Sequence, residues 1–307
     1  MRVELHSVTR RFGRLTALDR LSLELPSGSK VALIGPNGSG KSTLSRILAG
    51  MLSCEGEVRI DGFSPSTDRR ALAQRLVYVA QSAPQLGATV GEVVQAIASV
   101  RRLERAQIAE IAARLDFDLS QVASKPVRAL SGGMKQKLLL SLAFAADVGL
   151  ILLDEPTASL DAPSRTAFYR LVAERSRHAT LILCSHRLEE VRHLVDHVVA
   201  LEDGKLAWQG PLSEYLRHAS HSLLEVRVHG SETFEWLRAR GFHTGGSGDW
   251  ARVVEHADLL PLLRELMIGL DGRIDAVNVR DLEAIAAGGA TVNRTTESSA
   301  SPRGGAR

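Results

Sequence analysis

The sequence predicts an α/β fold: a mainly parallel β-sheet covered by helices, flanked by an antiparallel β element, interrupted by an inserted helical subdomain and followed by a small α+β module. Three observations carry this. Short apolar, β-branched runs alternate with helical patterns through roughly the first two-thirds of the chain, as in a helix-covered parallel sheet. Between Ala83 and Ala146 strand patterns stop and Ala, Leu, Ile, Arg and Glu dominate, as in Val90 to Ser99 and Ala106 to Leu115. After Gly210 the order becomes strand, helix, hairpin, helix, strand, the outline of a βαββαβ unit.

Element by element, Val31 to Ile34, Leu76 to Ala80, Leu150 to Leu153 and Thr180 to Cys184 are nearly unbroken apolar runs, the mark of strands buried on both faces. Their carboxyl ends are where open α/β sheets bind ligands. Val3 to Val8, Leu21 to Leu25 and Glu57 to Ile60 alternate instead, the last closed by an Asp61-Gly62 turn, and form the antiparallel element. In the C-terminal module, strands are expected at Leu223 to Val228 and Ile274 to Val279, and helices at Glu232 to Arg240 and Leu259 to Leu270. A hairpin is expected about Gly245-Gly246-Ser247-Gly248. Domain boundaries fall at about 1–215, with the helical subdomain at 83–146, and at 222–286; residues 287–307 are too poor in large apolar groups to order themselves.

At 307 residues, 44% hydrophobic and 24% charged, the chain has the make-up of a globular protein with a principal domain and an appendage. A net charge of +3, from 38 basic and 35 acidic groups with no long one-sign block, speaks against nucleic-acid binding. Cys54 and Cys184 show no CxxC spacing and suit a reducing cytosol. The charged start Met1-Arg2-Val3-Glu4 is unlike a secretory leader. The most apolar stretch, Leu138 to Leu153, contains Asp147 and is shorter than the ~20 residues a bilayer requires, so a partner must supply any membrane span.

Gly35-Pro36-Asn37-Gly38-Ser39-Gly40-Lys41-Ser42 matches the P-loop pattern, between an apolar strand and the helical run Thr43 to Ala49. The glycines let backbone N–H groups curl around phosphate oxygens, and the helix N-terminus adds positive potential. Lys41 is expected to neutralise the β/γ oxygens of a nucleotide, Ser42 to ligate Mg²⁺ and Thr43 to cap the cradle. A P-loop alone leaves kinases, GTPases and many ATPases open. At the end of the strand Leu150 to Leu153, Asp154 and Glu155 place two carboxylates at the phosphate-bearing edge of the sheet. Asp154 is expected to hold Mg²⁺ and Glu155 to polarise the attacking water. His193 and His197, four apart, would share one helix face, but without a third ligand they read as a solvated surface.

Leu130-Ser131-Gly132-Gly133-Met134-Lys135-Gln136, before a long helical run, resembles the signature sequence of the ABC ATPase family. Met134 and Lys135 depart from the usual Gln-Arg, while the Ser-Gly-Gly core is intact. The resemblance spans about residues 1–215. It implies that Ser131, Gly132 and Gly133 face the γ-phosphate on a partner's P-loop, so that two subunits sandwich two ATP molecules. It also implies that Phe12 stacks on adenine, that Gln81 contacts Mg²⁺ and the lytic water, and that Asp161, in Ser159-Leu160-Asp161, crosses the dimer interface. Asp161 is equally a helix cap before Ala162-Pro163. His186 resembles the switch histidine that contacts the γ-phosphate.

The family reading is that of an ATP-hydrolysing subunit, the expected partners being a second such subunit, as a homodimer, and membrane-spanning permeases met around Ser82 to Val94 on the inner face of the membrane. The C-terminal module, ending in Asp281-Leu282-Glu283-Ala284-Ile285, resembles that of ABC-2 type exporters. A soluble ABC ATPase of translation, repair or cluster assembly is the alternative. One uninterrupted cassette with no paired CxxC speaks against translation and repair, and the C-terminal module speaks against cluster assembly.

Overall fold

The computed structural model describes residues 1–282 except 186, 220, 245–248 and 271. The chain begins with β1 (Val3–Phe12), β2 (Leu15–Leu25), β3 (Lys30–Ile34), α1 (Lys41–Leu48), β4 (Glu55–Ile60), α2 (Arg69–Leu72) and β5 (Leu76–Val79). A helical stretch follows, with α3 (Val90–Arg101), α4 (Arg105–Arg114) and α5 (Gly132–Phe144). Then come β6 (Leu150–Asp154), α6 (Ala162–Arg175), β7 (Thr180–Cys184), α7 (Leu188–Leu194), β8 (His197–Glu202), β9 (Lys205–Pro211) and α8 (Leu212–Ala219). The last unit holds β10 (His221–Val228), α9 (Ser231–Ala239), β11 (His243–Thr244), β12 (Trp250–Glu255), α10 (His256–Gly269) and β13 (Ile274–Leu282).

The central sheet has the order β5-β6-β7-β3-β8-β9, parallel except for β9. Its side chains alternate between two cores. Ala32, Ile34, Ile151, Leu153, Leu181 and Leu183 point toward α5 and α6, while Val31, Leu33, Leu150, Leu152 and Ile182 point toward α1 and the antiparallel sheet. Burial on both faces is why these strands are apolar throughout. The antiparallel sheet, order β2-β1-β4, lays Val3, Leu5, Leu21, Leu23 and Ile60 on the second core.

Helix starts follow their sequence signals. Thr89 and Glu92 form a reciprocal capping box at α3, with Thr89 N–H donating to Glu92 Oε2 at 2.7 Å and Glu92 N–H to Thr89 Oγ1 at 3.2 Å. Asp161 caps α6 by accepting from Ser164 N–H at 2.9 Å, as its cap reading requires. The C-terminal sheet, order β11-β12-β10-β13, buries Leu224, Val226, Trp250 and Val254 under α9 and α10 around a core of its own.

Two expectations need correction. β1 and β2 run past Val8 and begin before Leu21, because each keeps one face on the core and lets Arg10, Arg11 and Thr16 lie on the other. The residues after Cys184 contain a β8–β9 hairpin in which Asp203 and Gly204 both have positive φ (48° and 76°). His193 therefore ends in a helix, stacked on Tyr169 at 5.4 Å, while His197 opens a strand beside Asp196, and the two share no helix face. The proposed hairpin tip at 245–248 and the tail beyond 286 lie outside the described residues.

Candidate functional site

The P-loop leaves the buried end of β3 at the carboxyl edge of the central sheet. Its glycines are required by backbone and by space. Gly35 has φ of 141° and abuts the Leu201 carbonyl, and Gly40, at φ of 103°, caps α1 with the Ala17 carbonyl 2.5 Å from where a Cβ would stand. Ser39 is buried, and its Oγ has no hydrogen-bond partner among the described residues.

Lys41 folds back over the loop, its Nζ donating to the carbonyls of Gly35 at 2.7 Å and Pro36 at 2.9 Å. Burial pushes this ammonium below the ordinary lysine range, against the opposing pull of Cys184, Glu155 and Asp154. Asp154, 3% exposed, ends β6 and accepts from the Tyr78 hydroxyl at 3.4 Å. Burial, with Asp154 beside it, pushes Tyr78 up to about 12. Glu155 follows in a left-handed conformation, φ of 50°, with its N–H donating to the Cys184 carbonyl at 2.8 Å.

Lys41, Asp154 and Glu155 border one cavity of about 260 Å³. Phe12, Asn37, Gly38 and Gly40 line it together with Lys41, Ser42 and Thr43, and Gln81, Asp154 and Glu155 complete the polar wall. Leu15 and Ala17, which the sequence reading passed over, line its apolar end with Phe12. The signal for them is their place directly after the Phe12-Gly13 turn on the neighbouring strand. Phe12 is 43% exposed, and the Arg10 guanidinium lies 4.7 Å from its ring centroid.

Ser131, Gly132, Gly133 and Asp161 do not border this cavity. Ser131 caps α5 by accepting from Met134 N–H at 3.2 Å, and the two glycines lie against Ser159 of the same chain. His186 lies outside the described residues; Ser185 before it is buried.

The donor set suits a hard divalent cation bound with phosphate: a hydroxyl, an amide oxygen and a carboxylate at one wall. Among the described residues no cluster of three or more His, Cys, Asp or Glu forms an all-protein metal cage. A cation here would share its coordination with substrate oxygens, which fits Mg²⁺ on a nucleotide.

A strand, a phosphate-cradling loop, a half-buried lysine and two acids at the end of another parallel strand define a P-loop nucleotide hydrolase. The comparisons narrow the class. A family model described as ABC transporter matches residues 18–158. The nickel import ATP-binding protein NikO of Rhodobacter capsulatus is 36% identical over 234 residues, covering 69% of this chain and 90% of that protein. Nod factor export ATP-binding protein I of Mesorhizobium japonicum is 34% identical over 242 residues, covering 76% and 70%. A solved ATP-binding subunit of an ABC transporter superposes with a TM-score of 0.64 at 25% identity, covering 71% of this chain and 92% of that one. The chain belongs to the ATP-binding proteins of ABC transporters, and it is an ATP hydrolase.

Proposed function

We propose that two copies of this chain close on two ATP·Mg²⁺ and thereby drive rearrangement of separate membrane permeases, with hydrolysis reopening the pair. The observation that carries this is the division of the site. The groups suited to phosphate and cation border one cavity, while Ser131, Gly132 and Gly133 present a helix N-terminus elsewhere on the surface. A second copy would bring that N-terminus to the γ-phosphate.

In this reading Ser42, Gln81 and Asp154 would hold Mg²⁺, which would supply charge neutralisation for the phosphates. Lys41 swings from the Gly35 and Pro36 carbonyls to the β/γ oxygens, Phe12 stacks on adenine, and Glu155 accepts the proton of the attacking water. His186 and Asp161 keep the switch and interface roles that the family resemblance implies. Among the described residues no helix is long and apolar enough to cross a membrane, which suits a subunit held on the inner face by its permease.

The relatives include import and export proteins. Export is supported by the resemblance of the C-terminal module to ABC-2 type exporters, a motif whose residues from 283 on lie outside the described part. Residues 1–215 and 222–286 are proposed as separate domains, each with its own apolar core among the described residues.

The test is Glu155→Gln, which keeps the shape and loses the basic oxygen. ATP binding should persist, hydrolysis should fall at least about a hundredfold, and an ATP-stabilised dimer should accumulate in sedimentation. Unchanged steady-state hydrolysis would overturn the assignment.

A further inference from the structure

Glu155 occupies a backbone conformation that neither its side chain nor its successor favours. Its φ of 50° is left-handed, and the next residue is Pro156, which biases the preceding residue toward extended backbone. Such strain persists only where the surroundings over-determine it.

The surroundings here are specific. The Glu155 N–H is tied to the Cys184 carbonyl of β7 at 2.8 Å. The Pro156 carbonyl accepts from Nε2 of Gln136, a side chain 4% exposed on α5, at 2.8 Å. The Thr157 hydroxyl donates to Oε1 of Glu190, 1% exposed on α7. Ser185 and Arg187 lie against that same carboxylate. Burying an amide and a carboxylate is costly unless they are bonded, and both bonds converge on the dipeptide after Glu155.

We propose that Gln136 and Glu190 are positioning residues for hydrolysis: from two different helices they clamp Pro156-Thr157 and so hold Glu155 in the left-handed turn that presents its carboxylate to the nucleotide cavity. This rests on the role of Glu155 given above and deepens it. Burial raises Glu190 above the ordinary carboxylate range, and the Thr157 hydroxyl bond acts against that rise.

The clamp has a consequence for coupling. Gln136 sits one turn into α5, the helix that begins at the Ser131-Gly132-Gly133 turn, and both glycines abut Ser159 just beyond the clamped segment. Whatever docks on that turn is thereby linked to the position of Glu155 in the same chain through one helix and one hydrogen bond.

The experiment measures single-turnover hydrolysis and labelled-ATP affinity for the full chain carrying Gln136→Leu, Thr157→Val or Thr157→Ser, each alone and combined with Glu155→Gln. Gln136→Leu and Thr157→Val should each slow hydrolysis at least about tenfold while ATP affinity stays within about twofold. Thr157→Ser keeps the hydroxyl and should stay within about threefold of the parent. In the Glu155→Gln background none should slow the residual rate further, because the clamp acts through that carboxylate.

Normal rates in Gln136→Leu and Thr157→Val, losses that add to that of Glu155→Gln, or an equal loss of ATP affinity would each overturn the inference. If Gln136→Leu does not fold, the Thr157 pair decides: a slow valine with a normal serine supports the clamp, and equal rates overturn it. Normal hydrolysis by Glu155→Gln itself would instead sink the reading of the site. An inactive Glu155→Gln beside normal clamp variants would sink the clamp alone.

Discussion

The central sheet and the C-terminal sheet treat polar groups in opposite ways. Around the central sheet, Ser39, Gln136, Asp154, Thr157 and Glu190 are buried and Lys41 folds inward over its loop. Around the C-terminal sheet, ionisable side chains pair at the surface, as in Arg227 with Asp249, His229 with Asp275, Arg240 with Glu265 and Arg273 with Glu232. The buried polar residue among those described there is Thr233, and the core is otherwise leucine, valine, phenylalanine and tryptophan. Exposed pairs contribute little to stability, whereas buried polar groups are expensive and cluster where chemistry requires them. One region is built to act on a ligand and the other to pack.

The largest effect expected from this contrast is on packing. Leu266 is fully buried in the C-terminal core, so Leu266→Ala should destabilise that unit by about 3 kcal/mol through lost burial and a residual cavity. ATP affinity of the folded protein should be unchanged. Chemical denaturation followed by tryptophan fluorescence, beside labelled-ATP binding, checks both; a matching loss of ATP affinity would break the contrast.

Next is Lys41→Ala. The variant removes the ammonium from the phosphate cradle, and ATP affinity should fall at least about a hundredfold, ~2.7 kcal/mol. Equilibrium binding of labelled ATP reads this, and a change under threefold would show that the cradle is not where the nucleotide sits.

Gly132→Asp sharpens the contrast within the first region. A Cβ at Gly132 would stand 3.6 Å from Ser159 Oγ, an ordinary contact, so the fold should accept it. The added charge would face a partner's γ-phosphate, and hydrolysis should fall at least about tenfold while ATP binding by the monomer is kept. Loss of monomer binding comparable to that in Lys41→Ala would refute the two-copy site.

How much of this was legible in the sequence depends on how local the signal is. The P-loop, the acids after β6 and the caps at Thr89 and Asp161 are written within a few residues, and the structure places them at the ends of the expected elements. The β8–β9 hairpin carried an equally local signal, Val198 to Leu201 followed by Asp203-Gly204, the favoured dipeptide of a two-residue hairpin turn, but the sequence reading assigned no strands there. The clamp was not. Gln136 meets Pro156 and Glu190 meets Thr157 only because β6, β7 and α5 are brought together by sheet order, and no spacing along the chain encodes that meeting. Leu15 and Ala17 are a different case: they follow the Phe12-Gly13 turn directly, so their place beside Phe12 was locally legible, though the sequence reading passed over them.

The smallest expected effect is the sharpest test of the contrast. α8 belongs with the central sheet: Leu212 is buried in its core, and Tyr215 and Leu216 pack against it, with Tyr215 5.2 Å from the Trp208 ring. A chain ending at Ser220 keeps this helix and loses β10 through β13. No described residue after Ala219 borders the nucleotide cavity, so the shortened chain should stay folded and bind ATP within about threefold of the full one. What it should lose is a bias on association or closure, since a unit that contributes no ligand can act only on those equilibria. ATP affinity and the concentration dependence of hydrolysis, measured side by side, separate the outcomes. A tenfold loss of monomer affinity, about 1.4 kcal/mol, would place part of the nucleotide site in the C-terminal unit and erase the division between a region that acts and a region that packs.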